Sequence, residues 1–350
     1  MPVRNIDIQD VNQPPQTISM LDAIRLSSKS ASGIAALNLP PRQNVLGDWM
    51  KEGDTGFIFA PRGLGKTWFS MLIATAVANG GNAGPWKANG ARKVVYIDGE
   101  MALDGMLERM NGMKSGENLI ILNHEILFHL GGKTMNLADR PTQEALREYL
   151  VEVGAKMVIV DNLSCLCAGM EENQADDWEQ LLSWLLELRR RKIVVLIVHH
   201  AGRNGDMRGT SRREDAAFWI LKLDYADESK CESARSAKFV SMFTKERNSG
   251  REQMQLEWCF KTDASGMVDV SYKSKCQLEE LRSWIQMGLN SATAISEAMG
   301  ISIGHVSKLA KKASRAGWLE VKKRKYVLVS RPSSEAGNEK QAETKPEENA

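Results

Sequence analysis

A glycine-bearing loop at residues 60–67 carries the residue types that bind phosphate. Gly63 and Gly65 let the backbone approach a ligand closely and take a positive φ, which bulkier residues resist. Backbone N–H groups that converge in such a loop, together with the N-terminus of a following helix, favour a bound polyphosphate. Lys66 would reach its β- and γ-phosphates, and the Thr67 hydroxyl would bind Mg²⁺. The loop therefore predicts a site for ATP and Mg²⁺.

The spacing of this loop matches the P-loop pattern, except that Ala60 occupies the position of the first glycine. The departure is mild because this position mainly needs a small residue. An apolar run at 57–59 precedes the loop and an amphipathic segment at 68–77 follows it, so we expect a strand, a loop and a helix. A glycine-rich turn with a lysine by chance would not explain this order. The predicted nucleotide-binding residues are Ala60, Pro61, Arg62, Gly63, Leu64, Gly65, Lys66, Thr67 and Trp68.

Acidic residues follow two other apolar runs. Asp98 and Glu100 come after the run 94–97, and Asp161 comes after the run 157–160. In a parallel sheet, the residues just past the strand ends face the same crevice as the phosphate-binding loop. Asp98 and Glu100 would then reach the attacking water, and Asp161 would supply the second Mg²⁺ ligand. The alternatives are a solvated loop carboxylate for Glu100 and a helix N-cap or turn residue for Asp161.

A third apolar run, 193–198, ends in His199 and His200. A histidine at this position can sense the γ-phosphate through a hydrogen bond, so both are predicted nucleotide contacts. They could instead be metal ligands or core histidines. Neighbouring residues on a strand point in opposite directions, so the two cannot readily share one metal ion.

The elements that must position these residues alternate along the chain. Apolar runs lie at 56–59, 94–97, 119–122, 126–128, 157–160 and 193–198, with helical stretches such as 142–153 and 176–191 between them. This alternation favours an α/β fold with a mostly parallel sheet covered on both faces. After residue 220, strand-like runs at 239–243, 254–260 and 267–272 predict antiparallel strands at one edge of the sheet.

Composition sets further limits on the 350 residues. The length allows one large core and a smaller module. No apolar run approaches the ~18 residues that cross a bilayer, and no signal-peptide pattern is present, so we expect a cytoplasmic protein without a membrane partner. The five cysteines lack paired spacing, which favours reduced thiols over a zinc site.

Taken together, the motifs resemble those of the RecA-like ATPases of the RepA branch, the hexameric replicative helicases of broad-host-range plasmids, which are related more distantly to DnaB and KaiC. The resemblance covers about residues 46–272. The motifs that carry it are the P-loop, Asp98-Gly99-Glu100, Asp161-Asn162, His199-His200, Arg208-Gly209-Thr210-Ser211 and Asp215-Ala216-Ala217. It implies a RecA-like fold and a homo-hexameric ring with ATP between subunits and single-stranded DNA in the channel. It also implies that Glu100 is the catalytic glutamate, Asp161 the Walker B carboxylate and His199-His200 the sensor.

The same resemblance implies that a neighbouring subunit donates an arginine to each ATP site. Residues 244–250 look like the Lys-x-Arg-x-x-Gly element with this role in DnaB-like helicases, so Lys245 and Arg247 are the preferred pair. The competitors are Arg208, Arg212 and Arg213. Their loop, 201–213, could equally face the central pore, where Arg212 and Arg213 would bind DNA phosphates. For each arginine the alternative is a solvated charge.

Residues 278–329 predict a separate module. Helical patterns at 278–285, 292–299 and 304–316 precede two strand-like runs, an order that resembles a winged helix-turn-helix. Its third helix would enter the major groove of duplex DNA and bury Val306, Leu309 and Ala310, while the basic wing would meet phosphates. The predicted DNA contacts are Lys308, Lys311, Lys322, Lys323, Arg324 and Lys325. The alternative is a winged helix that docks on protein.

The sequence thus predicts four segments: a lead-in arm at 1–45, a RecA-like ATPase domain at 46–275, a winged-helix domain at 276–330 and a disordered tail at 331–350. The expected function is an ATP-driven ring that unwinds DNA in plasmid, phage or mobile-element replication. A RepA-type core need not carry a winged helix, which suggests loading at a specific origin, or regulation. The alternatives are an ATP-switched DNA-binding regulator and a recombination or partition ATPase without unwinding activity.

Overall fold

The computed structural model describes residues 18–37, 39–169, 175–202, 205–207, 211–226, 236–251, 253–275, 277–322 and 324–329. The chain divides into two units, residues 1–274 and residues 275–350. In the part of the chain so described, no helix is long and apolar enough to cross a membrane.

A large sheet forms the centre of the first unit. The strands of this unit are β1 (Asn44–Leu46), β2 (Met50–Lys51), β3 (Thr55–Ala60), β4 (Asn82–Ala83), β5 (Trp86–Lys87), β6 (Val94–Asp98), β7 (Leu119–Asn123), β8 (Met157–Asp161), β9 (Val194–His200), β10 (Trp219–Tyr225), β11 (Ser236–Glu246), β12 (Gln255–Thr262) and β13 (Val268–Lys275). Among the described residues, the sheet has the order β13-β12-β11-β10-β3-β9-β8-β6-β7.

Strand directions divide this sheet into two parts. From β10 to β7 each strand is parallel to its neighbours. Beyond β10, β11 pairs antiparallel with both β10 and β12. The predicted α/β fold of RecA-like type, with a mostly parallel sheet and antiparallel strands at one edge, is confirmed.

Helices cover both faces of the sheet. The helices of the first unit are α1 (Met20–Ser27), α2 (Ala31–Ala35), α3 (Lys66–Asn79), α4 (Leu103–Gly112), α5 (His124–Gly131), α6 (Arg140–Glu152), α7 (Leu163–Leu166), α8 (Ala175–Arg190) and α9 (Ser211–Ala216). α3 begins after Gly65 and ends at Gly80, both of which have a positive φ that glycine adopts without strain.

Alternation along the parallel strands produces two cores, one on each face. Ile58 and Ala60 of β3 pack into the core that includes α3, whereas Phe57 and Phe59 pack into the opposite core. β6, β8 and β9 alternate in the same way because successive side chains of a strand point to opposite faces. A side chain that follows each strand therefore has its direction set by its place in this alternation.

One predicted strand is wrong. The apolar run 126–128 lies within helix α5. The side chain of Asn123 accepts hydrogen bonds from the backbone N–H groups of Glu125 and Ile126, and this cap starts a helix directly after β7. Three apolar residues in a row cannot distinguish a strand from a short helix.

The described residues of the second unit form three helices and a two-stranded antiparallel hairpin. They are α10 (Gln277–Gln286), α11 (Ala292–Met299), α12 (Ile303–Arg315), β14 (Leu319–Lys322) and β15 (Lys325–Leu328). Val306, Leu309 and Ala310 of α12 are buried as predicted. The interpretation of this unit as a winged helix stays a prediction.

Candidate nucleotide-binding site

A cavity of about 740 Å³ opens at the carboxyl ends of β3, β6, β8 and β9. Most residues of 62–68 line it, together with the residues that follow β6 and β8 and the first residues of β11. Parallel sheets bind ligands at the carboxyl ends of their strands because the loops that leave the strands converge there. The cavity thus brings together the loops that the sequence singled out.

The P-loop, residues 60–67, has the geometry of an anion cradle. Gly63 has a φ of +75° and Gly65 a φ of +102°. A Cβ at Gly63 would meet nothing within 4 Å, so the backbone there faces open space, whereas a Cβ at Gly65 would lie 3.0 Å from Phe239. Lys66 closes the loop because its Nζ donates to the carbonyl oxygens of Ala60, at 3.2 Å, and Pro61, at 2.9 Å.

Lys66 also takes part in the electrostatics of the cavity. Burial lowers the pKa of Lys66, while Asp161 and Glu100 act in the opposite direction. The ammonium group lies near the carboxylates of Asp161 and Glu100 and beside the backbone of the P-loop, and a polyphosphate with Mg²⁺ requires such a set of groups. The residues present therefore fit ATP and Mg²⁺.

Asp161 lies at the centre of a buried hydrogen-bond chain. The Tyr96 hydroxyl donates to Asp161 Oδ2 at 2.5 Å, and the Thr67 hydroxyl also bonds to this carboxylate. Burial raises the pKa of Asp161 to about 6, although both hydrogen bonds act to lower it. Thr67 and Asp161 thus lie together as a Mg²⁺ site requires, since hard cations prefer oxygen ligands.

Glu100 and Asp98 have separate surroundings. The Glu100 carboxylate accepts a hydrogen bond from the side-chain amide of Asn162 and lines the cavity. The Asp98 carboxylate instead accepts from the backbone N–H groups of Glu100 and Met101 and from Asn123 Nδ2 at 2.7 Å. Asp98 also lines the cavity, so the expectation that it reaches the attacking water stays a prediction, and its two backbone hydrogen bonds fix the turn that presents Glu100.

The two histidines lie on opposite faces of β9. His200 lines the cavity. His199 is fully buried on the other face, where its Nε2 lies 3.0 Å from a guanidinium nitrogen of Arg213. Because arginine only donates hydrogen bonds, Nε2 of His199 is the acceptor and the imidazole is neutral. The prediction that His199 contacts nucleotide is therefore corrected, whereas His200 remains a candidate.

The structure adds Arg109, which sequence reasoning missed. Arg109 of α4 lines the cavity, and its guanidinium lies 4.7 Å from the centre of the Trp68 ring. Within the described ranges, no side-chain hydrogen bond or ion pair holds this guanidinium. Burial lowers its pKa, while Tyr96 and Asp161 act in the opposite direction, so the charge lies near Asp161. Its position in the helix after Glu100 was the available signal.

Lys245 and Arg247 lie far from the cavity of their own chain. β11 runs antiparallel to the strands that carry the P-loop: its first residues, Ser236 and Ala237, line the cavity, and its last, Glu246, pairs with Trp219 at the start of β10. At about 3.3 Å per residue, the ends of β11 are about 33 Å apart. The Lys245-Arg247 pair thus lies at the end of the strands opposite to the cavity.

The competing arginines have different positions. Arg208 lies outside the described residues, and of Arg212 only the backbone, in α9, is described. Arg213 is buried, with 1% of its surface exposed, and its guanidinium lies over the ring of Trp178 at 5.3 Å. The prediction that Arg213 binds DNA phosphates is therefore wrong for this arrangement, because its guanidinium is packed inside the first unit.

The basic residues of the second unit are mostly exposed. Lys308 and Lys311 lie on the exposed face of α12, and Arg324 and Lys325 are exposed in the hairpin. Lys322 is exposed too, although it forms an ion pair with Glu320 at 2.6 Å. Lys323 lies outside the described residues. The DNA contacts assigned to these cations stay a prediction.

Comparison with known proteins gives one family match. The family described as "AAA domain" matches residues 21–206. Among solved structures, the flagellar accessory protein FlaH from Methanocaldococcus jannaschii is similar at 13% identity, over 63% of this chain and 90% of that chain, with a TM-score of 0.43. A KaiC-like protein from Pyrococcus horikoshii is similar at 13% identity, over 66% and 100%, with a TM-score of 0.46. No curated protein matches the chain.

Proposed function

The chain belongs to the AAA domain family and is a RecA-like P-loop ATPase, and from this premise we propose that it is a DNA-stimulated ATPase of the RepA type that works as a ring. The observation that carries the proposal is the separation of the nucleotide cavity from the Lys245-Arg247 pair. The cavity contains the P-loop and carboxylates, but Lys245 and Arg247, the preferred trans-acting pair, lie at the opposite end of the strands of the same sheet. A second copy of the chain would complete the site.

Each group of the cavity has a defined task in hydrolysis. Lys66 and the P-loop amides bind the β- and γ-phosphates, and Thr67 and Asp161 hold Mg²⁺, which would neutralise phosphate oxygens. Glu100, oriented by Asn162, accepts the proton of the attacking water. His200, which lines the cavity at the end of β9, would hydrogen-bond the terminal phosphate.

Arg247 from the neighbouring subunit stabilises the charge that develops on the transferred phosphoryl group. Such a contact places the surface around Arg247 of one subunit against the nucleotide cavity of the next subunit. This is a heterologous head-to-tail interface, which closes into a ring when the rotation permits. The ring is proposed to be a hexamer because the motifs resemble those of hexameric helicases.

DNA is the proposed partner. Exposed Lys308 and Lys311 on α12 and the basic hairpin would bind duplex phosphates, and the Gly- and Arg-rich segment that precedes the buried Arg213 would face single-stranded DNA in the channel. ATP and plasmid or phage DNA occur in the cytoplasm, so a cytoplasmic location is part of the proposal. The same basic unit favours a second candidate, an ATP-switched regulator that reads a duplex site without unwinding it.

The test is steady-state ATPase activity of the full-length protein with and without single-stranded DNA, with Lys66→Ala measured in parallel. Strong stimulation that requires Lys66, together with strand separation of a forked duplex, would support the ring motor. Lys66-dependent turnover that is indifferent to single strands, with tight binding to a duplex site, would overturn it in favour of the regulator. Turnover that survives Lys66→Ala would remove the P-loop assignment itself.

A further inference from the structure

A buried carboxylate lies directly before the strand that carries the P-loop. Asp54 precedes β3 and has no exposed surface. Its carboxylate accepts hydrogen bonds from the backbone N–H of Lys51 at 2.7 Å, from Arg42 at 2.6 Å and from Asn248 Nδ2 at 2.6 Å. A buried charge with three well-placed donors is a fixed point, because the loss of any partner leaves a costly unpaired group.

Asn248 is held at this point from several directions. Its Nδ2 also donates to the carbonyl oxygen of Trp49 at 2.7 Å, and its Oδ1 accepts from Arg42 at 3.3 Å. Its backbone N–H donates to the Glu246 carboxylate, which also accepts from the backbone N–H of Ser249. The side-chain amide of Asn248 thus uses both of its donor hydrogens and its oxygen, and its loop is closed at both ends.

Arg247 directly precedes Asn248 and lies beyond the last paired residue of β11. The last ladder pair of β11 is Glu246 with Trp219, so strand pairing does not fix the residue that follows. Arg247 is exposed, and within the described ranges no hydrogen bond or ion pair holds its guanidinium. The nearest restraint on its backbone is therefore the set of bonds made by Asn248.

We propose that Asn248 is a positioning residue that, through its bonds to Asp54 and Trp49, sets the direction in which Arg247 leaves the subunit. The proposal rests on the proposed trans role of Arg247 and deepens it. An arginine that must meet a phosphate on another subunit needs a fixed backbone, since a displacement of about 1 Å costs on the order of 100-fold in rate. The buried Asp54 carboxylate supplies the fixed point and the amide of Asn248 connects it to the loop.

The first test compares Asn248→Ala with Arg251→Ala in the full-length protein. Arg251 anchors the same loop through an ion pair with Asp48 at 2.7 Å, but its side chain is 70% exposed, so the pair contributes little. We expect Asn248→Ala to lower kcat for ATP by about 10- to 100-fold with less than about a 3-fold change in KM. Arg251→Ala should keep wild-type turnover. If Asn248→Ala does not fold, Asn248→Gln, which keeps the amide but displaces it by one methylene group, takes its place.

The second test separates positioning from a general loss of structure. Asn248→Ala subunits keep their P-loop, and Lys66→Ala subunits keep Asn248 and Arg247. In a mixed ring, a Lys66→Ala subunit would present a correctly placed arginine to the nucleotide of an Asn248→Ala subunit. We expect a 1:1 mixture to hydrolyse ATP faster than the sum of its separate components. A defect within the nucleotide site of the variant itself would not be rescued in this way.

Two outcomes would overturn the inference, and a third would contradict the proposed trans role of Arg247 on which it rests. If Arg247→Ala abolishes turnover but Asn248→Ala retains wild-type kcat, Asn248 does not position the arginine. If Asn248→Ala loses activity and the mixture with Lys66→Ala gives no gain, its role is structural. If Arg247→Ala itself leaves ATPase activity unchanged, the proposed trans role fails before Asn248 is considered.

Discussion

The Tyr96 hydroxyl donates a hydrogen bond to Asp161 Oδ2 at 2.5 Å and lies 2.7 Å from the Ser70 hydroxyl, so the Asp161 carboxylate is connected to the interior of the first unit. Burial raises the pKa of Tyr96 well above 10.0, and the phenol therefore stays protonated as a donor. The same burial disfavours the charged form of Asp161. The ionised Asp161 carboxylate therefore lowers the stability of the fold.

Replacing Asp161 should therefore stabilise the metal-free protein while abolishing its activity. With a pKa of about 6 in the folded protein against the ordinary value of 3.8, the carboxylate destabilises the fold by about 1 kcal/mol near pH 4.5 and about 3 kcal/mol near pH 8. The stability that the protonated form provides is present below pH 4 and is lost as the pH rises to about 6. We expect urea unfolding without Mg²⁺ to show Asp161→Asn gaining stability, and gaining more at the higher pH.

A gain of the same size at both pH values would contradict this explanation, because only ionisation varies across that window. ATPase assays supply the functional half of the prediction. Asp161→Asn should show no Mg²⁺-dependent turnover, since an amide supplies a weaker ligand for a hard cation.

Glu100→Gln should separate binding from hydrolysis. The glutamine retains the volume and an oxygen that the Asn162 amide can bond, but it cannot accept a proton from water. We expect a fall in phosphate release of at least about 100-fold, with the Kd for a fluorescent ATP analogue within a few-fold of wild type. Glu108→Gln, an exposed neighbour on α4, is the matched control and should be active. Loss of binding in Glu100→Gln would make Glu100 structural instead.

The cation–π contact between Trp68 and Arg109 should contribute to ATP turnover. The guanidinium lies 4.7 Å from the Trp68 ring centre, a cation–π contact that is worth about 0.5–2 kcal/mol. We expect Arg109→Met to reduce kcat/KM for ATP by about 10-fold or more, because a cation near the phosphate site is lost. Trp68→Leu should cost about 3-fold or more and Trp68→Phe less. Arg140→Met, which removes an 83% exposed arginine of α6, should have no effect.

The pair should also be coupled. If Trp68 acts by holding Arg109, then the double variant Trp68→Leu/Arg109→Met should be no slower than Arg109→Met alone. Additive losses in the steady-state assay would mean that Trp68 contributes by another route, such as packing on Phe260, whose ring centre is 6.3 Å away.

Local pattern was sufficient where a residue's role depends on its own neighbours in sequence. Lys66 and Thr67 follow a glycine turn, and Asp161 follows four apolar residues. The positions of these residues in a loop and at a strand end can therefore be predicted from the sequence. Alternation would also have separated His199 from His200, since adjacent strand residues face opposite cores.

Roles that depend on distant parts of the chain were not legible. Arg213 is in an Arg-rich segment that suggests DNA binding, yet its charge is buried between His199 and Trp178. Arg109 belongs to a helix with ordinary polar spacing, and only the closeness of α3 and α4 brings it to Trp68. Composition gives the charge of such residues, whereas packing decides whether that charge meets a ligand, a core or solvent.

The second unit should bind duplex DNA through the exposed face of α12. Removing two phosphate contacts with Lys308→Ala/Lys311→Ala should weaken binding to a duplex and reduce the slope of log K against log salt by about 2, because fewer counterions are released. Fluorescence anisotropy over a salt series measures both. The matched control, Lys87→Ala/Lys261→Ala, removes the same charge from exposed positions of the first unit. ATPase activity without DNA should be unchanged in both. If duplex affinity and slope match those of the control, α12 does not contact phosphates and the protein-docking alternative gains the support that DNA binding loses.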